Sequence, residues 1–313
     1  MTAGLRQHHP EAGAPLRPPA GRQGPGRMPE ALIDTLDLAV SRTIAGALAG
    51  DRRAAGVGAG TELAQLRPYV YGDDVRRIDP AASARTGELH VRVQVPERTL
   101  TSWLLVDVSP SMAFGTAQRL KADVAEGVAL VLGRLALRRA GRLAVVTFGA
   151  GGRSRLLPPR GSRAGLVALR RALEEGVAVD GAHDPHALAD AAGRVARVAS
   201  QPGFVAIVSD FRDQRDWTRP LGLLRARHAV LAVEVLDPRE TSLPAVGRIA
   251  VVDPETGKRM EVDTNRPALR RRFAALEARR RAELHAELRR LRIEHVALST
   301  ADDWLVELGR RLG

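Results

Sequence analysis

The chain of 313 residues has no cysteine and few aromatic residues, namely three Trp, two Tyr and five Phe. Without cysteine, neither disulfides nor thiolate metal sites are possible. So few aromatic side chains do not provide an obvious surface on which nucleic-acid bases could stack. The composition fits a reducing compartment, and we expect a cytoplasmic protein.

Long apolar runs are also missing. A membrane-spanning helix needs about 18 or more consecutive apolar residues. The nearest candidate, residues 31–50, is interrupted by Asp34, Asp37 and Arg42. The N-terminus has no unbroken apolar core of the signal-peptide type. We therefore expect no membrane span.

Lysine is nearly absent from this basic chain. It occurs only at Lys121 and Lys258, and Arg supplies the other 46 of the 48 basic residues, for a net charge of +12. Such skew is typical of coding bias rather than of a binding surface, and the arginines are dispersed among acidic residues. We expect no nucleic-acid partner, although a basic nucleic-acid-binding protein stays open as an alternative.

The pattern divides the chain into three segments. Residues 1–30 are rich in Pro, Gly, Ala and Arg, which predicts a disordered tail. Residues 31–100 begin with an amphipathic helix over 31–49 and continue with a charged block. In residues 101–313, apolar strands alternate with helices, which predicts an α/β domain with a mostly parallel sheet covered by helices on both faces.

The expected elements of the third segment follow from periodicity and from turn residues. The predicted strands are 102–108, 142–148, 203–209, 229–236 and 293–298. The predicted helices are 117–139, 162–175, 185–199, 217–227, 267–291 and 302–312. Residues 247–253 and 258–263 predict a hairpin attached to the sheet.

The most informative stretch follows the first of these strands. Asp107, Ser109 and Ser111 place oxygen atoms at alternate positions, and Asp210 ends a second apolar strand. Because parallel strands bring their carboxyl ends to one edge of the sheet, Asp210 can approach Asp107. Such oxygen ligands suit Mg²⁺ or Mn²⁺. Alternatively, the same side chains could cap the following helix.

Two resemblances converge on these residues. The Asp-x-Ser-x-Ser spacing is similar to the metal-ion-dependent adhesion site of von Willebrand factor A domains. The preceding motifs, over about residues 60–240, resemble the bacterial domain-of-unknown-function family 58. Those motifs are Arg67-Pro68-Tyr69, Gly72-Asp73-Asp74-Val75-Arg76-Arg77-Ile78-Asp79, Ser83-Ala84-Arg85-Thr86-Gly87-Glu88-Leu89 and Glu97-Arg98.

The resemblance implies a fold and a partner. The fold is a von Willebrand factor A-like (Rossmann-like) sheet preceded by a family-specific segment. Proteins of this family are typically encoded beside MoxR-type AAA+ ATPases, so such an ATPase or its client is the implied partner. The chain departs from the family at Pro80, where Trp is usual. By the resemblance, it also departs from the adhesion site at His183, where that site usually has a Thr ligand; a His nitrogen is a poorer Mg²⁺ ligand than a hydroxyl.

The resulting functional hypothesis is a non-enzymatic adaptor that binds a partner carboxylate through a metal ion and takes part in protein assembly or maturation. A metal-dependent hydrolase using the acidic block Gly72-Asp73-Asp74 is an alternative, because paired carboxylates can divide acid and base roles. The intervening arginines favour structural ion pairs instead. No ATPase loop or esterase elbow is present in the sequence.

Overall fold

A computed structural model describes residues 16–17, 62–95, 100–117, 119–137, 141–151, 154–182, 184–213, 215–253 and 256–312. The predicted tail, apart from Leu16 and Arg17, and the predicted helix over 31–49 lie outside the described residues. The chain forms two compact units. Residues 49–99 make up the smaller one, and residues 100–313 lie in the larger one.

The secondary structure is numbered in chain order. The strands are β1 (Leu16–Arg17), β2 (Glu62–Pro68), β3 (His90–Val95), β4 (Thr101–Asp107), β5 (Arg142–Phe148), β6 (Arg155–Gly161), β7 (Val177–Ala178), β8 (Phe204–Ser209), β9 (Ala229–Leu236), β10 (Arg248–Val252), β11 (Arg259–Asp263) and β12 (Glu294–Ser299). The α-helices are α1 (Pro80–Thr86), α2 (Lys121–Leu137), α3 (Ser162–Glu174), α4 (Ala187–Val198), α5 (Thr218–Arg225), α6 (Pro238–Thr241), α7 (Pro267–Arg290) and α8 (Trp304–Leu312).

A six-stranded sheet is the centre of the larger unit. Its strand order is β12-β9-β8-β4-β5-β6, and only the edge strand β6 runs antiparallel to its neighbour. The predicted mostly parallel α/β sheet is therefore confirmed. Strand β6 was not predicted, because its two prolines remove backbone donors and are tolerated mainly at a sheet edge.

Both faces of the sheet are covered, as predicted. Successive side chains of a strand point to opposite faces. Accordingly, Leu104 and Val106 of β4 pack with α2, α3 and α8, whereas Trp103 and Leu105 pack with α4, α5 and α7. Burial on both faces explains why β4 is a continuous apolar run rather than an alternating one.

The hairpin corrects one expectation. Strands β10 and β11 pair antiparallel, but they form a separate two-stranded sheet, so the predicted attachment to the central sheet is wrong. The apolar side chains of the hairpin stay largely exposed instead of packing on the central sheet: Val252 and Met260 are 40% and 65% exposed.

The smaller unit contains the charged block. Strands β2 and β3 pair antiparallel, and α1 begins at Pro80, the residue that stands where Trp is usual in the family. Asp79 caps this helix by accepting a hydrogen bond from the Ala82 N–H at 2.9 Å. Proline is favoured at the first helical position, because its missing N–H has no partner there. Gly87 ends the helix with φ 77°, a left-handed conformation that favours glycine.

In the part of the chain that the structure describes, no helix combines the length and the apolar character that a membrane span requires.

Candidate metal centre

The candidate site lies where the two central strands of the sheet end. Strands β4 and β8 are neighbours, Asp107 is the last residue of β4, and Asp210 directly follows β8. The four predicted ligands lie in the interior, with exposed fractions of 2% for Asp107, 1% for Ser109, 3% for Ser111 and 1% for Asp210. Groups this deeply buried need polar partners, and each of them has one.

Hydrogen bonds join the four side chains into one cluster. The Ser111 hydroxyl donates to Asp210 Oδ2 at 2.8 Å, and the hydroxyl oxygens of Ser109 and Ser111 are 3.0 Å apart. The Ser109 N–H donates to Asp107 Oδ1 at 2.8 Å. The structure therefore brings together all four residues that the sequence singled out, across 99 positions of chain between Ser111 and Asp210.

A glycine on the next strand allows this close packing. Gly149 follows β5 with φ +93°, and a Cβ atom there would lie 2.8 Å from Asp107 Oδ1 and 2.8 Å from Ser109 Cβ. Both the left-handed backbone and the lack of space exclude ordinary side chains at this position. The end of β5 can approach the cluster only because residue 149 has no side chain.

Three further residues of the site were not predicted from the sequence. The Ser209 hydroxyl donates to Asp107 Oδ2 at 2.6 Å. Lys121, at the first position of α2, is completely buried, and its ammonium donates to Asp210 Oδ2 and to Glu240 Oε1, both at 2.6 Å. The available sequence signal for Lys121 was its residue type, because the chain has only two lysines among its 48 basic residues.

The partner of Lys121 is itself held by the fold. Asp237 and Glu240 form a capping box at the start of α6, with the Glu240 carboxylate accepting the Asp237 N–H at 3.1 Å. Asp237 also accepts hydrogen bonds from the hydroxyls of Thr116 and Thr300, at 2.5 and 2.6 Å. These contacts fix α6, and with it Glu240, beside Lys121.

The two buried carboxylates differ in their electrostatic environment. Burial, together with repulsion from Asp210, raises the pKa of Asp107 to about 7. Burial would raise the pKa of Asp210 as well, but the charges of Lys121 and Arg212 outweigh it and hold that pKa below its ordinary value. Asp210 is thus a carboxylate with its countercharge in place. The described residues give Asp107 hydrogen-bond donors but no ion pair.

The donor set fits a hard divalent cation. Carboxylate and hydroxyl oxygens are the ligands that Mg²⁺ and Mn²⁺ prefer. A cation beside Asp107 and the two serines would supply the countercharge that this buried carboxylate lacks. Lys121 already provides part of the positive charge at Asp210, so a metal ion there would compete with a built-in ammonium group. His183, which the resemblance aligns with the Thr ligand, lies outside the described residues.

The acidic block in the smaller unit has a structural arrangement. Arg67 contacts both oxygens of Asp73, at 2.6 and 2.7 Å, and Arg92 contacts Asp79 at 2.8 Å. The Arg67 hydrogen bonds lower the pKa of Asp73, and the Ala82 N–H and Arg92 lower that of Asp79. A lowered pKa makes a carboxyl group a poor general acid near neutral pH.

Three arginines of the long helix α7 pair with acidic residues on the same helix. The pairs are Arg279–Glu283, Arg280–Glu277 and Arg290–Glu287. Pairing of this kind reduces the net positive field that a nucleic acid would meet. Leu284 and Leu288 of α7 are buried, whereas Leu276 is 59% exposed.

Several solved structures are similar to this chain at low sequence identity. BatB, a conserved hypothetical protein from Bacteroides thetaiotaomicron, is 12% identical with a TM-score of 0.41, and the match covers 68% of this chain and 97% of that chain. A von Willebrand factor type A structure from Catenulispora acidiphila is 16% identical with a TM-score of 0.36, covering 68% of this chain and 43% of that one.

Sequence comparison is more decisive. An uncharacterized protein of Mycobacterium bovis is 36% identical over 302 residues, which cover 96% of this chain and 94% of that protein. A family model described as "Protein of unknown function DUF58" matches residues 65–283. This match includes both the charged block and all four residues of the candidate centre. The chain therefore belongs to the DUF58 family, as the order of its motifs predicted.

Proposed function

We propose that this protein is a non-enzymatic interaction module that binds Mg²⁺ or Mn²⁺ through Asp107, Ser109, Ser111 and Asp210. The metal ion would leave one coordination position for a carboxylate of a partner protein. The observation that carries this proposal is the hydrogen bond of 2.8 Å between Ser111 and Asp210, which joins oxygen ligands from two strand ends. The acidic residues of the charged block act in helix capping and ion pairing, which supports a binding role over hydrolysis.

The burial of the site defines how binding would proceed. Ser109 and Ser111 are only 1% and 3% exposed, so a partner carboxylate can reach the metal ion only after the surrounding residues move apart. Lys121 balances the charge of Asp210 while the site is closed. Metal binding and partner binding are therefore coupled to opening of this edge of the sheet.

The partner follows from the family. We propose a MoxR-type AAA+ ATPase or its client, with an Asp or Glu side chain as the group that completes the metal coordination. The interaction would serve assembly or maturation of another protein in the cytoplasm. An acidic ligand also suits the positive net charge of +12 of this chain.

The test is a binding measurement between the full chain and a MoxR-type AAA+ ATPase. Affinity should increase at least about tenfold when Mg²⁺ or Mn²⁺ replaces chelator, which corresponds to about 1.4 kcal/mol. The variant Ser109→Ala should lose this gain, and Ser200→Ala, at an exposed loop position, should keep it. Equal affinity of the wild-type protein with metal and with chelator would reject the mechanism.

A further inference from the structure

A second cluster of potential metal ligands lies on the opposite side of β8 from the strand that carries Asp107. It combines Glu234 of β9, His285 of α7 and His295 of β12. The Nε2 atoms of His285 and His295 lie 3.1 and 3.2 Å from the same oxygen, Glu234 Oε2. All three potential ligand atoms are within 4.8 Å of one another. We propose that Glu234, His285 and His295 bind a transition-metal ion of the Zn²⁺ class.

The two distances to Glu234 Oε2 are compatible with ligands that share one metal ion. Zn²⁺ binds His nitrogen and carboxylate oxygen at about 2.0–2.2 Å, so neighbouring ligand atoms around a tetrahedral ion are about 3.3 Å apart. The two Nε2–Oε2 distances are close to this value without any rearrangement of the backbone. Two imidazoles and one carboxylate favour Zn²⁺, Co²⁺ or Ni²⁺ over Mg²⁺, which prefers oxygen ligands alone.

Accessibility and support of the ligands also fit. Glu234 is fully buried, whereas the side chains of His285 and His295 are 34% and 17% exposed. A metal ion could therefore enter from the side of the imidazoles and keep one or two water molecules. The three ligands come from three different elements. A bound ion would therefore connect α7 to β12, the strand at one edge of the sheet, and to its neighbour β9.

Two arginines lie near the other oxygen of the carboxylate. Arg281 Nε is 3.6 Å and Arg280 Nη2 is 3.9 Å from Glu234 Oε1, the oxygen that does not face the imidazoles. Their charges weaken cation binding. Burial would raise the pKa of Glu234, but the hydrogen bonds of His295 and His285, together with the charge of Arg281, outweigh burial and lower that pKa, which favours the ionised form. This inference is independent of the proposed function, because it uses other residues and another class of metal ion.

The experiment measures Zn²⁺ binding to the full chain after removal of metal by chelator, using competition with a chromophoric zinc indicator. Co²⁺ absorption in the visible range reports the ligand set. We expect one Zn²⁺ per chain, not displaced by excess Mg²⁺. His285→Gln, at a partly exposed position that should fold normally, should weaken binding at least about tenfold. His295→Gln should have the same effect.

The controls separate this site from other histidines and from the first site. His186→Gln, which removes an exposed partner of Asp216, and the double variant His8→Gln/His9→Gln should bind Zn²⁺ like the wild type. Ser109→Ala should also retain it. Absence of stoichiometric Zn²⁺ binding, or undiminished binding by either folded variant at His285 or His295, would overturn the proposal and leave the cluster as an ion-pair network that anchors α7.

Discussion

Lys121 is the residue on which the electrostatics of the candidate centre depend. A fully buried ammonium group is costly unless opposite charges surround it. Here burial lowers its pKa, but Asp210 and Glu240 outweigh that effect and keep the pKa above its ordinary value. Lys121 thus provides positive charge for Asp210 and Glu240, and Asp107 is left for another cation.

Replacing this lysine should expose the requirement for a cation. Lys121→Met removes the ammonium group between Asp210 and Glu240 and leaves Arg212 as their remaining cation among the described residues. Removing one member of a buried ion pair costs about 3–5 kcal/mol. Urea unfolding in chelator should show this loss. Lys258→Met, at an exposed position beside the β10–β11 hairpin, should change the free energy of unfolding by no more than about 0.5 kcal/mol.

The Lys121→Met variant also tests whether the ammonium group and the metal ion compete for Asp210. If Lys121 and the metal ion share Asp210, Mg²⁺ should stabilise Lys121→Met against urea more than it stabilises the wild-type protein. Equal stabilisation of both proteins by Mg²⁺ would show that the ammonium group does not compete with the ion.

A surface pair gives a pH-dependent contact that can be measured by itself. The Nδ1 atom of His186 lies 2.5 Å from Asp216 Oδ2, and this hydrogen bond raises the pKa of His186 above its ordinary value. A raised pKa means that the contact is fully present below the unfolded pKa and is lost as the pH rises through the folded pKa. NMR titration should therefore show an elevated His186 pKa that returns towards about 6.5 in Asp216→Asn; an unchanged value in that variant would contradict the assignment.

At the scale of elements, the end of β5 sets how tightly the strand ends pack. Gly149→Ala should be strongly destabilising, since a left-handed backbone costs about 1–2 kcal/mol and overpacking adds about 1–3 kcal/mol. Gly247→Ala is the matched control, with a similar φ of +87° but nothing closer than 3.9 Å to its added Cβ.

Comparison of the two glycine variants isolates the effect of space. Thermal melting should show a clearly larger decrease for Gly149→Ala than for Gly247→Ala, and only the former should change metal binding at Asp107 and Ser109. Similar losses in both variants would mean that backbone conformation alone, rather than contact with the site, explains the need for glycine at 149.

Elements with strong hydrophobic periodicity could be predicted from the sequence. Strands β4, β5, β8 and β9 are buried on both faces, so their apolar runs were unambiguous. The edge strand β6 was not predicted, because it contains two prolines, which are unusual within a strand. An edge strand tolerates them since it pairs with one neighbour only. The hairpin of β10 and β11 was predicted, but its separation from the central sheet was not, because the position of a short hairpin depends on tertiary contacts rather than on local propensity.

At the scale of the whole molecule, the convergence of Asp107, Ser109, Ser111 and Asp210 could be predicted because parallel topology decides where strands end. Lys121 and Glu240 could not, since their meeting depends on the packing of α2 against the capped start of α6. The cluster of Glu234, His285 and His295 likewise joins a strand, a helix and a strand that are distant in sequence. Such contacts form only in the folded protein, so no short sequence motif predicts them.

The central claim is that oxygen atoms at this edge of the sheet bind a divalent cation. The most direct measurement is Mn²⁺ binding to the full chain, followed by the paramagnetic resonance signal of free Mn²⁺. The account predicts one saturable site that Mg²⁺ displaces, that Ser109→Ala weakens at least about tenfold, and that Ser200→Ala leaves intact. No saturable binding, or equal binding by wild-type protein and Ser109→Ala, would contradict it.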